Sequence, residues 1–411
     1  SITDLFWLKN SKLKKNSIAI LYKDYDQNSI NELSKNNINY KYSHKLHVSK
    51  KMFKNLIRYY LLIFINLLNF NLKNFKKIMM YFYFIKTSYW YEVFKNENAK
   101  IFFTMIDVDE DKFCKINAIE LNRGLSITSH WSNFPFFLNR NNKAANVILS
   151  WGDHFKKFIL TNENYNKIYN IGYPNDHYFN NIEKKFSKIE SKDKFVLTYM
   201  DNNLFSDGFY QPNLNRIIVK NFIKLLNKHQ NLLIYLKPKD KSSYEKEYPC
   251  EELAEFIKQD RLKVLFGESK NEKYNPAAAA AMSDLCVGLG ISTASAEATF
   301  YGVPAFHFDN QFIINDFTQI GKNKIIFNSV EQLIKNVELQ IKSKKISIEE
   351  CRKISYTLDC FQDRNSSKRA EIIISYIYES LVNNENHNNL LSNLDQFIKE
   401  NSYFKENISL L

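Results

Sequence analysis

A chain of 411 residues has room for two domains of roughly 150–200 residues each, and 45% hydrophobic with 15% aromatic residues supplies ample core for both. The net charge of +13 invites an anionic partner such as a nucleotide or a phospholipid surface, but it is spread along the chain without an arginine-rich arm or zinc-finger spacing, which sets nucleic acid aside. Five scattered cysteines without a CxxC pair indicate neither a structural zinc site nor a disulfide framework, and a reducing cytosol is the expected compartment. The first residues, SITDLFWLKNSKLKKN, lack the apolar core and cleavage site of a signal peptide.

In chain order, residues 17–22 (SIAILY) read as an apolar strand, 28–36 as a helix and 38–42 as the next strand. Such a strand–helix–strand opening argues for a parallel sheet covered by helices. Residues 50–90 then break the pattern, being strongly apolar, aromatic and interrupted by lysines. The longest run without a charge, 59–72, is shorter than the roughly 20 residues a bilayer span needs. Two readings fit the segment: a pair of core helices, or helices lying in a membrane interface with cations flanking their apolar faces. One packed face and one rim touching lipid would combine them.

Residues 101–106 (IFFTMI) read as a buried strand running into Asp107, Asp109 and their acidic neighbours. The C-terminal end of a strand is where open α/β sheets place ligands and chemistry. Asp107 and Asp109, two apart, share a face on extended chain. Residues 113–122 have helical apolar spacing and carry Glu120, and the strand 125–128 leads to His130, a candidate acid/base or donor to a sugar hydroxyl. Strands 147–150 and 168–171 follow, with Trp151-Gly152 and Gly172-Tyr173-Pro174 behind them. The polar, lysine-rich stretch beyond reads as a linker over 181–194. That gives a first domain over 1–180, a second over 195–382 and a polar helical tail over 383–411.

The second domain repeats the alternation: strand 195–199, helix 214–228, strand 232–236 ending in Lys237-Pro238-Lys239, helix 251–259 and strand 263–266. Helices over 330–342 and 364–381 close it. Its centre is SDLCVGLGISTASAEATFYGVPAFHFD (283–309), a strand, a tight turn at Gly288 and Gly290, a helix opened by Ser292, Thr293 and Ser295, and a second strand. Hydroxyls at a helix start satisfy its free N–H groups, and the same groups with the helix dipole make a site for phosphate. Glu297, one turn in, is a candidate for ribose hydroxyls or a carboxylate stabilising the dipole. Lys237 and Lys239 would add positive charge at a neighbouring strand end.

Two Rossmann-like halves with this Gly/Ser/Thr helix start resemble a GT-B glycosyltransferase. In particular GIST-x3-E-A-x3-G-x-P (290–304) is similar to the serine/threonine motif of bacterial sialyltransferases and Kdo transferases of surface-polysaccharide assembly. ITSHWSN (127–133), Trp151-Gly152, Gly172-Tyr173-Pro174 and LDCFQDRNSSKR (358–369) also resemble those enzymes. The resemblance implies two Rossmann-like domains facing a central cleft, with extra helices in the first, and a phosphate of a CMP-sugar at Gly290, Ser292, Thr293 and Ser295. Lys237 stands where these families carry the histidine of His-Pro, a departure that bears on the CMP assignment.

The expected activity is a transfer of a sugar, Kdo or another nonulosonic acid, from CMP to a glycan or glycolipid, without a metal, in the cytoplasm or peripherally at the inner face of the membrane. Asp107, Asp109, Glu120 and His130 are its candidate catalytic residues. Alternatives on the same fold are a UDP- or GDP-sugar transferase, a polyol-phosphate transferase, a nucleotide-sugar epimerase, or a non-catalytic glycan-binding subunit.

Overall fold

A computed structural model describes residues 17–20, 40–42, 50–68, 74–104, 112–129, 145–156, 167–186, 194–202, 211, 213–239, 241–266, 274–310, 321, 324–343 and 348–405. These fall into two compact units, one built from residues up to 129 with 145–175 and 365–405, the other from 176–364. The helix expected over 28–36, the carboxylates at 107–111 and His130 lie outside the described residues.

The first unit is a six-stranded sheet in the order β2-β1-β3-β4-β5-β6. Its strands are β1 (Ser17–Ile20), β2 (Tyr40–Tyr42), β3 (Ala99–Thr104), β4 (Leu125–Ser129), β5 (Val147–Ser150) and β6 (Lys167–Asn170). Every neighbouring pair is parallel, as in the register Ile101↔Leu125 and Ile127↔Val147. A parallel sheet is covered on both faces, so its strands carry near-continuous apolar sequence; IFFT and VILS do so for that reason. One cover is the helix pair Lys50–Leu68 and Asn74–Glu97, whose Met52, Leu56, Val93 and Phe94 join Phe102 of β3 and Ile119 of the helix Lys112–Leu121 in one core cluster. Glu92 pins the pair together, accepting from Asn55 Nδ2 and Tyr59 Oη at 3.1 Å each.

The other cover comes from the end of the chain. The helix Ser366–Val382, expected to close the second domain, instead lays Ala370, Ile373, Ile374 and Ile377 against Ile101, Ile127, Val147 and Tyr169 of the first sheet. The helix His387–Glu400 joins the same cluster through Leu390, Leu391 and Leu394, so the tail is core-forming. An apolar stripe specifies that a helix is buried, not which sheet buries it. Arg369 anchors the return: fully buried, it donates from Nε to the Tyr403 carbonyl at 2.6 Å and from Nη1 to the Ile171 carbonyl at 3.0 Å.

The second unit is a six-stranded sheet in the order β12-β11-β10-β7-β8-β9. It comprises β7 (Phe195–Met200), β8 (Leu232–Lys237), β9 (Leu262–Val264), β10 (Leu285–Leu289), β11 (Ala305–Phe308) and β12 (Ile326–Phe327), all parallel. Counted from β7 this is the 3-2-1-4-5-6 order of a Rossmann fold. The helix Leu214–Lys228 buries Ile218, Val219, Phe222 and Leu226 along one stripe. Part of the expected linker is helical: in Tyr178–Lys185, Phe179 and Ile182 are buried, and the Phe179 ring meets Tyr301 edge-on at 5.6 Å. Two large apolar side chains at helical spacing outweigh the surrounding lysines and asparagines.

Candidate functional site

In the second sheet the chain runs outward in opposite directions from β7 and β10, which pair through Val287↔Tyr199 and Gly288↔Met200. The crevice beyond the carboxyl ends of such strands is the ligand position of open α/β sheets. Three adjacent strand ends meet there: β8 with Lys237, β7 with Asp201 and β10 with the turn Gly290–Ser292.

The β10 turn is built by close approach. A Cβ on Gly288 would lie 2.3 Å from Ser295 Cβ and 2.6 Å from Ser295 Oγ, so only glycine lets the following helix sit on the strand. Gly290 has φ +69°, a left-handed conformation costly for most residues, and its N–H donates to the Phe308 carbonyl at 2.7 Å. Ser292 then caps the helix Thr293–Tyr301, its Oγ accepting from Ser295 N at 3.3 Å. Ser292 and Thr293 are half-buried, at the surface of the turn. The first N–H groups of any helix lack partners further back in that helix, and together with the dipole they favour an anion.

Ser295, expected beside the phosphate, faces inward. It is fully buried, and its hydroxyl lies 3.1 Å from the Ser292 carbonyl, 3.3 Å from the Gly290 carbonyl and 3.2 Å from His307 Nδ1. The N3 side chain of a first turn points back along the helix, and the missing Cβ at Gly288 makes room for it. His307, in the middle of β11, completes this buried contact. Burial pushes its imidazole down to about 4, against an opposing hydrogen bond with the Gly290 backbone, so the ring is neutral at physiological pH. In the sequence His307 is marked only by being a histidine inside the apolar strand AFHF. Glu297 is also buried, on the same helix.

Lys237 ends β8 and is buried, with Nζ donating to the Pro238 carbonyl at 3.1 Å. Lys239 is exposed, and its backbone N–H donates to Asp201 Oδ1 at 2.6 Å. Asp201, immediately after β7, also accepts from Tyr248 Oη at 2.7 Å. Burial raises its carboxyl to about 7; the Tyr248 and Lys239 hydrogen bonds and Lys237 pull the other way, and Glu247 adds to the rise. Behind it, Tyr199 Oη donates to Asn215 Oδ1 at 2.6 Å, and Asn215 Nδ2 donates to Glu247. Asp201 was not foreseen, although the run FVLTYM ending in Asp was visible.

In the first unit, Glu120 is exposed near the end of its helix and accepts from Asn146 Nδ2 at 2.8 Å. Asn146 precedes β5, and its Oδ1 accepts from Ser126 N at 2.7 Å, near the start of β4. Glu120 therefore sits at the amino-terminal edge of the sheet, opposite the end that β3 presents towards residues 105–111. A crossover helix runs antiparallel to its strands, so its last turn returns to the strand starts. Glu120 leaves the candidate acid/base set on that ground. At the carboxyl end of β4, Thr128 and Ser129 hold buried hydroxyls with no hydrogen-bond partner among the described residues. Trp151 and Tyr173 meet edge-on at 4.9 Å, and the Gly172 carbonyl accepts from Ser366 Oγ at 3.3 Å, so these segments of the resemblance serve the core and the returning helix. Among the described residues no three His, Cys, Asp or Glu side chains are grouped to hold a metal ion.

No family model and no curated protein matches the sequence. Solved structures do match the fold. S. aureus MnaA in its co-structure with UDP superimposes with TM-score 0.57 at 10% identity, covering 90% of this chain and 97% of that one. A UDP-N-acetylglucosamine 2-epimerase from Rickettsia bellii gives 0.51 at 12%, covering 89% and 97%. An E. coli trehalose-6-phosphate protein bound with UDP-2-fluoro glucose gives 0.51 at 9%, covering 88% and 99%. At such identities the likeness is one of fold: an α/β protein of two Rossmann-like units, the GT-B class.

Proposed function

We propose that the protein is a nucleotide-sugar-dependent enzyme whose second unit binds the donor, with the phosphates on the helix start at Ser292 and Thr293. The observation that carries this reading is the hydroxyl-capped helix, half-open to solvent, at the reversal point of the second sheet. Lys239 at the next strand end but one supplies positive charge, and Gly290 keeps the backbone low enough for close approach. In glycosyl transfer an acceptor hydroxyl attacks the anomeric carbon, Asp107 or Asp109 takes its proton, and the nucleotide departs on the helix start. The acceptor is a glycan or glycolipid at the cytosolic face of a membrane, a reading supported by the basic surplus. His130 remains a candidate donor to a sugar hydroxyl.

For the donor we favour a UDP-sugar over the CMP-sugar of the sequence resemblance. Lys237 replaces the histidine of the CMP-using families, and the solved structures of similar fold include UDP complexes. Titration of UDP, CMP and GDP while following the melting temperature tests this. A nucleotide at about 100 times its Kd stabilises the folded state by about 2.7 kcal/mol. UDP should produce that shift and CMP little or none; the reverse order restores the CMP reading, and no shift with any nucleotide removes the donor site.

Epimerisation on the same fold is the second reading, supported by likeness to a UDP-N-acetylglucosamine 2-epimerase. Incubating UDP-N-acetylglucosamine without acceptor and following its anomeric and C2 protons by NMR distinguishes the two. Catalysis itself is tested by Asp107→Asn and Asp109→Asn, with folding confirmed. At least one should lower turnover by about 10²–10⁴-fold, the worth of a general base, while Glu120→Gln should leave it within about twofold. Full activity in both Asp variants would remove them as the general base, whereas absence of turnover in the wild type with every nucleotide-sugar would point to the non-catalytic glycan-binding reading.

A further inference from the structure

The helix pair Lys50–Leu68 and Asn74–Glu97 has a second apolar face that the core does not use. The first helix buries Met52 and Leu56 inward, yet Leu61, Phe64, Ile65 and Leu68 are between 52% and 60% exposed. On the second helix Met79 and Phe82 are each 58% exposed. Spacings of three and four residues place each set on one side of its helix. The faces are joined across the hairpin, where the Phe64 and Tyr81 rings meet edge-on at 6.1 Å. Large contiguous apolar faces on a folded surface mark a docking site.

Charge identifies the occupant. Between residues 50 and 91 the sequence holds eight lysines and arginines and no Asp or Glu. Lys54 and Arg58 are exposed two turns and one turn before Leu61, and Lys76 is exposed just before Met79. The acids of the pair, Glu92 and Glu97, are buried, holding Asn55 and Tyr59 in one case and Lys41 in the other. Every outward charge along this stretch is therefore positive. A protein partner matched to this face would have to be both apolar and acidic; an anionic bilayer supplies acyl chains and negative headgroups together. No helix among the described residues is long and apolar enough to cross a membrane.

We propose that this hairpin lies in the interface of an anionic lipid bilayer, with Leu61, Phe64, Ile65, Leu68, Met79 and Phe82 in the acyl boundary and the cations at the headgroups. The binding does not depend on the nucleotide-sugar reading, since no residue of the second unit takes part. Sedimentation with phosphatidylcholine vesicles, with and without about 30% phosphatidylglycerol, tests it. The wild-type protein should sediment with the anionic vesicles at low salt, stay in solution with the neutral ones, and lose binding as salt screens the headgroups.

Leu61→Ser/Phe82→Ser should weaken partitioning by about tenfold or more, and Lys54→Glu/Arg58→Glu should weaken it only at low salt. Both pairs are on the surface, and an unchanged melting temperature confirms folding. In addition, Ile65→Trp should emit at shorter wavelength with anionic vesicles than without. Absence of sedimentation at low salt, equal binding by the Leu61/Phe82 variant, or light scattering showing that those two side chains hold a dimer would each overturn the proposal. Nucleotide-induced stabilisation, measured separately, keeps this outcome distinct from that of the donor site.

Discussion

Gly288→Ala should destabilise the second unit by about 3 kcal/mol, at the upper end of what an added methylene does in a packed core. For a unit of this size that is a fall in melting temperature of roughly 6–12 °C. The new Cβ would lie 2.3 Å from Ser295 Cβ, and neither atom can swing away, since one is fixed to a central strand and the other to the first turn of a helix. The helix start must lift off β10, which moves Ser292 and Thr293 and breaks the contacts of Ser295 Oγ with the Gly290 carbonyl and His307. Nucleotide-induced stabilisation should disappear with it.

Two controls separate crowding from a general effect of losing glycine. Gly302 has φ +104° but no atom within 4 Å of a built Cβ, so Gly302→Ala should lose only the backbone strain, about 1–2 kcal/mol, and keep nucleotide binding. Ser295→Gly placed on Gly288→Ala removes the colliding partner and should recover part of the lost stability, a coupling that independent sites would not show. Should Gly288→Ala melt with the wild type and still respond to nucleotide, the helix is not seated on β10 as described and the donor site loses its geometry.

The strand–turn–helix of residues 283–309 was legible because each of its signals is local. Gly288 and Gly290 mark the turn, Ser292 caps, Gly302 ends the helix and Pro304 forbids its continuation. Strands β3, β5, β7, β8 and β10 were legible for a related reason: a strand buried on both faces carries few polar positions to blur it. Long-range partners were not. The stripe Ala370, Ile373, Ile374 and Ile377 required a sheet, but nothing in it distinguishes the first sheet from the second. Ser295 looked like Ser292 because both are small hydroxyl residues at a helix start; only the absent Cβ of Gly288, across the turn, tells which faces inward. Glu120 was placed correctly on a helix, and the antiparallel run of crossover helices already put it at the wrong end of the sheet.

Asp201 was the least legible residue of the site and carries the second large prediction: between about pH 4 and pH 7 the second unit should lose stability as pH rises. An unfolded aspartate titrates near 3.8, whereas burial holds the folded Asp201 carboxyl at about 7. Between those values the folded state keeps a proton that the unfolded state has released, so each step upward in pH favours unfolding. Above 7 both states are ionised and the loss is complete. The difference amounts to about 4 kcal/mol at about 1.36 kcal/mol for each pH unit. Glu338 works in the opposite sense, since Lys228 and Lys342 hold its carboxyl at about 2 and its contribution vanishes on acidification.

Comparing the wild type with Asp201→Asn cancels Glu338 and every other group. Asn can still accept from the Lys239 N–H and offer its amide to Tyr248, without a charge to bury. Denaturant midpoints should agree at pH 4 and diverge above it, the variant becoming the more stable by several kcal/mol at pH 8. Curves that remain parallel across the range would mean that Asp201 is ionised in the folded protein throughout. The strand end beside Ser292 would then present a fixed negative charge to any phosphate, a poor neighbour for a nucleotide, whereas a carboxyl that holds its proton up to about pH 7 lets Lys239 and the helix start set the sign of the site below that pH.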